Sequence, residues 1–339
     1  MISISKTIYI EPSYEVLNRD NLFNPAAFQD PSMALPYTRL RDNLAARGIA
    51  VHTADYFNNG EYLSDINEYW SFGALNKFVT TKRDNLNVVG FFLLEPPLIY
   101  PKIYKDIKFF QKYFSKIYLY NSDAIDGGCK FRQALIPIPY DYVLDEYWNN
   151  DVRSSKLVLV AGNHAPFLKS NELYSKRIDA IKFFSQNNLI DLYGRGWNIH
   201  ANRRIFWWKY FTNYIAIKRS YKGPIANKHE VISKYKFSIC FENSIIPGYI
   251  TEKIFDCFYS GTVPIYYGAP DVEKYIEPNA YVDFRKFKDF KELDSYLKNI
   301  SNIEYEKIKN SGKEFISRGA SHFYNSLDNA VSNFDDHQL

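Results

Sequence analysis

Short apolar runs alternate along this chain with longer stretches in which apolar residues recur at helical spacing. Thr7–Ile10, Ile49–Ala54, Asn87–Leu94 and Lys116–Asn121 are rich in β-branched and aromatic residues and read as strands. Tyr37–Arg47 and Tyr104–Phe114 read as amphipathic helices, and Gly48 stands where a left-handed residue would close the first of them. Between Pro137 and Ser155 the pattern lapses into prolines, acids and asparagines, the composition of a linker. A second alternation begins at Lys156. The strand KLVLVAGN is followed by a helix over Asn171–Ser185, the strand LIDLYGRGW and a helix near His229–Lys236. Then come the strand FSICFE, the helix EKIFDCFYS, the strand TVPIYYG, a short strand at Tyr281–Phe284 and a helical tail from Glu304 onward.

Strand-then-helix repetition is the mark of parallel sheets. Two such halves predict an α/β protein of two Rossmann-like, doubly wound domains, residues 1–150 and residues 151–339, facing an interdomain cleft. In open parallel sheets ligands lie beyond the carboxyl ends of the strands. Glu95 and the pair Glu242–Asn243 occupy that position.

A chain of 339 residues with 46% hydrophobic and 24% charged residues fits a two-domain globular protein. Aromatic residues reach 18%, which suits sugar faces, although bulky cores account for the same excess. The net charge of +4 is too small to argue for nucleic-acid binding, and none is expected. Its distribution is uneven. From Trp197 to Asn227 there is no acidic residue, while Arg203, Arg204, Lys209, Lys218, Arg219 and Lys222 stand among Phe206, Trp207, Trp208, Tyr210 and Phe211. Residues 203–222 therefore suit peripheral contact with an anionic membrane surface, and a basic loop beside an anionic nucleotide has the same composition. Cys129, Cys240 and Cys257 give no paired framework and no metal spacing, and the last two sit in apolar runs as buried thiols. The N-terminal segment lacks the apolar core of a signal peptide, and no run is long enough to span a membrane. The expected location is cytoplasmic, peripheral at the inner membrane face.

The densest chemical signal lies in FENSIIPGYITEK and the helix and strand after it. A buried strand ends in Glu242, Asn243 and Ser244, and a Pro-Gly loop leads to Thr251 as the N-cap of a helix that opens with Glu252 and Lys253. Free N–H groups and the dipole at such a helix start attract an anion, and Lys253 adds a full charge. A diphosphate could be held and stabilised there as it departs. Asn243 and Glu252 offer hydrogen bonds to ribose or sugar hydroxyls, and Tyr249 to a phosphate oxygen.

FENS (241–244), YITEK (249–253) and GTVPIYYG (261–268) together resemble the signature of the α1,3-fucosyltransferase family. The resemblance implies the GT-B fold, with the acceptor-side domain first and the GDP-sugar domain second. It implies an inverting transfer of L-fucose from GDP-β-L-fucose to a hydroxyl of an acceptor glycan. The acceptor would be a GlcNAc- or Glc-type residue of a surface polysaccharide or lipopolysaccharide, linked α1,3. Asn243, Tyr249, Glu252 and Lys253 would bind the donor. A second landmark is LLEPPLIYP, which resembles the family's strand-end glutamate pattern with proline in place of serine; it implies that Glu95 is the catalytic base. In-line displacement needs a carboxylate to take the acceptor's proton, and the apolar neighbours Leu94, Pro96 and Pro97 favour a raised pKa. A basic residue that grips the diphosphate is expected near ELYSKRIDAIKFF. Arg177 is preferred to Lys176 for its forked guanidinium, with Arg195 of LYGRGW as a competitor. No Asp-x-Asp motif is present and the histidines show no ligand spacing, so no metal and no further cofactor is expected. Two other readings stay open: the same fold using another nucleotide sugar, and a glycan- or nucleotide-binding protein without catalysis.

Overall fold

The computed structural model describes residues 4–60, 64–73, 85–120, 130–165, 170–198 and 208–332. It divides into two units, Met1–Pro139 with His322–Leu339, and Tyr140–Ser321. Each is built on its own six-stranded parallel sheet, the doubly wound α/β architecture expected from the alternation.

The first sheet runs β2-β1-β3-β4-β5-β6. Its strands are β1 (Lys6–Glu11), β2 (Ile49–Thr53), β3 (Asn67–Phe72), β4 (Asn87–Leu93), β5 (Lys116–Leu119) and β6 (Phe131–Gln133). Neither β3 nor β6 has an apolar run to announce it. β3, of sequence NEYWSF, is buried throughout because it lies between β1 and β4. Its polar residues hide that position, and they are partnered: Glu68 accepts from Lys6 Nζ at 3.0 Å and from Trp70 Nε1 at 3.3 Å. Gly90 on β4 leaves room for the Trp70 indole, since a Cβ there would stand 2.1 Å from the ring. The helix expected over Tyr104–Phe114 is two short helices, Pro101–Lys105 and Ile107–Phe110, interrupted at Asp106. Phe110 and Phe114 both pack on Phe91, and that tertiary contact overrides the helical periodicity. The helix Leu35–Ala45 covers the other face, and Gly48 follows it with φ 76° as expected.

The second sheet runs β12-β11-β10-β7-β8-β9. It comprises β7 (Ser154–Val160), β8 (Ile190–Tyr193), β9 (Tyr221–Gly223), β10 (Tyr235–Phe241), β11 (Val263–Tyr267) and β12 (Val282–Asp283). β7 and β10 are neighbours from which the chain winds outward in opposite directions, so the crevice beyond their carboxyl ends is the topological switch point.

The unit boundaries differ from the expected division at residue 150 in two places. Residues 140–153, expected as linker, belong to the second unit because their backbone is bonded into it. Leu144 N donates to Tyr259 O at 3.1 Å, and Arg153 donates to the carbonyls of Tyr147 and Trp148 and to Thr262 Oγ1. The tail is also shared. The helix Asn302–Arg318 packs on the helix Glu252–Tyr259, where Gly312 admits the Phe258 ring. The segment from His322 onward returns to the first unit: Asn43 donates to Asp328 at 2.7 Å, Tyr118 to Ala330 O at 2.9 Å, and Leu327 and Val331 join the core of Ile8, Leu40 and Leu44. Among the described residues no helix is long and apolar enough to cross a membrane.

Leu327 is 1% exposed, so Leu327→Ala should cost the first unit about 2–5 kcal/mol. Urea denaturation followed separately in the two units should show the loss in the first and little change in the second.

Candidate active site

The second unit carries a cavity of about 260 Å³ at its switch point. The loop after β7 contributes Ala161, Gly162 and His164, and the end of β10 contributes Phe241 and Asn243. Arg177, Lys228, Glu252, Lys253 and Asp256 bring the charges.

The arrangement is set by Glu242, which ends β10 and is 0% exposed. Its Oε1 accepts from Thr251 N at 2.8 Å, and its Oε2 from Thr251 Oγ1 at 2.8 Å and Lys253 Nζ at 3.3 Å. Burial pushes its pKa up, and the Lys253 ammonium and the Thr251 bonds oppose that rise. Gly268 is needed beside it, because a Cβ there would meet Glu242 Cγ at 2.4 Å. Thr251 stands at the N-cap as expected, but its hydroxyl makes no capping bond. It donates to Glu242 and accepts from Lys253 Nζ at 2.8 Å. The helix start that bears Glu252 and Lys253 is thus left without a side-chain cap.

Lys253 sits between Glu242 and Glu252, whose Oε1 is 3.4 Å from its Nζ. Burial alone would lower the lysine's pKa; the two carboxylates outweigh it and raise the value. Burial likewise works against the Glu252 carboxylate, but Lys253, Lys228 and hydrogen bonds prevail and hold its pKa at about 2.

Arg177 is brought in from the helix Tyr174–Ser185. The segment before that helix pairs with the end of β10: Ile245 N donates to Asn171 O at 2.8 Å and Leu173 N to Asn243 O at 3.0 Å, with an antiparallel bridge between Glu172 and Ser244. Asn171 takes the left-handed conformation at this corner, with φ 59°. Glu172 Oε2 then accepts from Ser175 N and starts the helix. One turn on, Arg177 is 3% exposed, donates from Nε and Nη2 to Phe241 O, and donates from Nη2 to Asn243 Oδ1 at 3.0 Å. Asn243 Nδ2 in turn donates to Tyr249 Oη at 3.2 Å. Asn243 and Tyr249 are therefore tied to each other and to Arg177, whereas the sequence alone leaves Asn243 available to a ligand. Lys176 points elsewhere, over the rings of Phe284 and Phe290. Arg195 is exposed, and its carbonyl accepts from Asn163 N at 2.9 Å; it does not line the cavity.

Glu95 lies in the first unit, just past β4 as expected, where Ile99 N and Tyr100 N close a turn onto Pro96 O. Tyrosines surround it rather than apolar side chains alone. Tyr104 Oη donates to Glu95 O at 2.9 Å and accepts from Tyr120 Oη at 3.0 Å. Burial, with the Glu95 charge as a lesser cause, pushes the Tyr37 and Tyr100 phenols up to about 12.

Lys228 and Asp256 are site residues that sequence reasoning does not name, and Glu242, expected with Asn243 at the ligand end of a strand, is instead fully buried. The strand-end glutamate is visible in the sequence, but nothing in its neighbourhood distinguishes a buried carboxylate from a ligand-facing one. Cys240 and Cys257 are buried free thiols with Sγ atoms 3.3 Å apart, in keeping with their apolar runs. Cys129, His200, Arg203, Arg204, Phe206 and Trp207 lie outside the described residues. Among the described residues no group of three His, Cys, Asp or Glu side chains could hold a metal ion.

Residues 163–308 match the family model described as glycosyltransferase family 10 (fucosyltransferase) C-term. The alpha-(1,3)-fucosyltransferase FucT of Helicobacter pylori is 47% identical over 74 residues, 22% of this chain and 16% of that protein. The alpha-(1,4)-fucosyltransferase of Arabidopsis thaliana is 39% identical over 74 residues, 22% of this chain and 18% of that one. The aligned segments thus span less than a fifth of these relatives. An α1,3-fucosyltransferase crystallised with GDP-fucose shares the fold over 98% of this chain and 90% of its own, with a TM-score of 0.57 at 18% identity. HepE of Anabaena, in complex with UDP and glucose, does so over 97% and 100%, with a TM-score of 0.59 at 10% identity. At these identities the structural likeness establishes the GT-B fold.

The low pKa of Glu252 predicts an acid dependence. The folded carboxyl takes up its proton less readily than the unfolded one, so stability rises with pH between about 2 and the ordinary value of 4.5. The contribution is complete above that window and lost as pH falls through it. Urea denaturation at a series of pH values should show a shallower slope there for Glu252→Gln than for the wild type; equal slopes would remove the argument.

Proposed function

We propose, with a glycosyltransferase family 10 C-terminal domain at residues 163–308 as the premise, that this chain is an inverting fucosyltransferase that uses GDP-β-L-fucose. The observation that carries the reading is the convergence of Arg177, Lys253 and an uncapped helix start on one cavity at the β7–β10 switch point. That is a site for a diphosphate. Glu252, ionised well below neutral pH, accepts hydrogen bonds from ribose hydroxyls. Asn243 and Tyr249 position Arg177 and shape the sugar end.

In the reaction an acceptor hydroxyl oxygen attacks C1 of fucose from the face opposite the diphosphate. The C1–O bond to the β-phosphate breaks, and its electron pair leaves on GDP. The proton of the acceptor passes to Glu95. Lys253, Arg177 and the helix N–H groups take up the charge that develops on GDP. No step requires a metal ion.

The acceptor in this reading is a GlcNAc- or Glc-type residue of a surface polysaccharide or lipopolysaccharide, met at the cytoplasmic face of the inner membrane. Supporting it, Trp208, Phe211 and Ile215 are 74%, 41% and 75% exposed on consecutive short helices, followed by exposed Lys218 and Arg219. Apolar and basic residues in that order suit an anionic bilayer. Tyr210 and Ile217 face inward, and Lys209 pairs with Asp179 at 2.7 Å, so part of the basic stretch is structural.

The deciding experiment is acceptor-dependent GDP release from GDP-fucose, with galactose- and N-acetylglucosamine-containing acceptors. Glu95→Ala should lose at least about a hundredfold in rate while GDP affinity is kept. Arg177→Ala should weaken GDP binding about tenfold or more. Measurable GDP binding without release would turn the search to other GDP-sugars, and failure to bind GDP would remove the donor site. For the membrane, co-sedimentation with phosphatidylglycerol vesicles should fall in the double variant Trp208→Ser, Ile215→Ser; unchanged binding would place the contact elsewhere.

A further inference from the structure

In the first unit, β4 and β5 are neighbours, with Leu93 opposite Leu119. Glu95 stands just beyond the end of β4 and Tyr120 just beyond the end of β5, so both belong to the same end of the sheet. The backbone after Glu95 is poor in donors, because residues 96 and 97 are both proline and neither carries an N–H. Pro96 also confines Glu95 to extended backbone. The carbonyl of Glu95 is then a handle by which this turn can be held from outside.

A phenol takes that handle. Tyr104, on the helix Pro101–Lys105, donates from Oη to Glu95 O at 2.9 Å. Its one hydrogen is spent there, so in the 3.0 Å contact between the two phenols Tyr120 is the donor. Tyr120 is 0% exposed. The hydroxyls therefore point one way, from Tyr120 to Tyr104 to Glu95, and a donor that itself accepts a hydrogen bond donates more strongly. Burial above all, with the Glu95 charge as a lesser cause, pushes both phenol pKa values up, so both groups keep their protons at neutral pH. The chain of bonds ends on the peptide next to the Cα that bears the carboxylate. Rotation of that peptide swings the side chain, and a misplacement of about 1 Å at a reacting group can cost on the order of a hundredfold in rate.

We infer that Tyr104, oriented by Tyr120, is a positioning residue for Glu95: by holding the carbonyl it aims the carboxylate at the acceptor hydroxyl. The assignment rests on the reading of Glu95 as the base given above.

The test is steady-state GDP release from GDP-fucose, with the same galactose- and N-acetylglucosamine-containing acceptors, for Tyr104→Phe and Tyr120→Phe in the wild-type and Glu95→Ala backgrounds. Tyr104→Phe keeps the ring and removes one oxygen. It should lower kcat about tenfold and leave the KM for GDP-fucose and the affinity for GDP unchanged. In the Glu95→Ala background it should leave the residual rate unchanged, because no carboxylate remains to be aimed. A merely structural role lowers the rate by one factor in both backgrounds. That result, or a wild-type kcat in Tyr104→Phe, overturns the inference while Glu95 stands as the base. Tyr120→Phe should show the same pattern with a smaller loss, and it decides should Tyr104→Phe not fold: a loss of kcat absent from the Glu95→Ala background supports the inference, and no loss, or an equal loss in both, overturns it. A wild-type rate in Glu95→Ala, or no GDP release by the folded wild type with any acceptor, removes the reading of the base and the inference with it.

Discussion

A carboxylate with no access to water holds the cavity of the second unit together. Burying Glu242 is costly unless its oxygens are filled, and the backbone and hydroxyl of Thr251 and the ammonium of Lys253 fill them. Each of those bonds fixes something else. The backbone bond sets where the helix begins. The hydroxyl bond withdraws Thr251 from capping, so the N-cap side chain does not close the helix start. The ammonium is placed between two acids, which raise its pKa in a site where burial alone would lower it. A cation and an uncapped helix start are what a departing diphosphate requires, and both follow from one buried acid.

Arg177 arrives by a different route to the same end. A guanidinium nine-tenths or more buried has to direct its donors to fixed acceptors, and here they go to Phe241 O and Asn243. Asn243 is in turn held by Tyr249. The chain of bonds crosses from one helix to the end of β10 and into the loop beyond it. Its geometry is fixed by bonds within the protein, which is the condition for preorganised charge stabilisation in the proposed reaction.

The sequence made the second unit more legible than the first, for physical reasons. β7, β10 and β11 are buried over most of their length and therefore carry short apolar stretches, LVLV, FSICF and VPIYY. β3 is as deeply buried but contains Asn67, Glu68 and Ser71, and the ion-pair partner of Glu68, Lys6, lies far along the chain, so no local pattern reveals it. Of the residues expected to bind the donor, Asn243, Glu252, Lys253 and Arg177 line the cavity at the switch point, and Arg195 does not. Their state of pairing was not legible. Asn243 is engaged by two neighbours, and Asp256 and Lys228 come from helices on either side of β10. Spatial apposition of that kind leaves no periodic signal.

The last described helix, Ser326–Ser332, lies with the first unit, so the second unit is an insertion in it. Chain order and folding order then diverge during synthesis. Tyr140–Ser321 has its whole sheet once it leaves the ribosome, whereas the first unit, though made earlier, waits for Leu327 and Val331 to close over Ile8, Leu40 and Leu44. Until they arrive, an open apolar face remains on a unit whose six strands are already synthesised. The apolar surface exposed in that interval is the one that Leu327 and Val331 later cover.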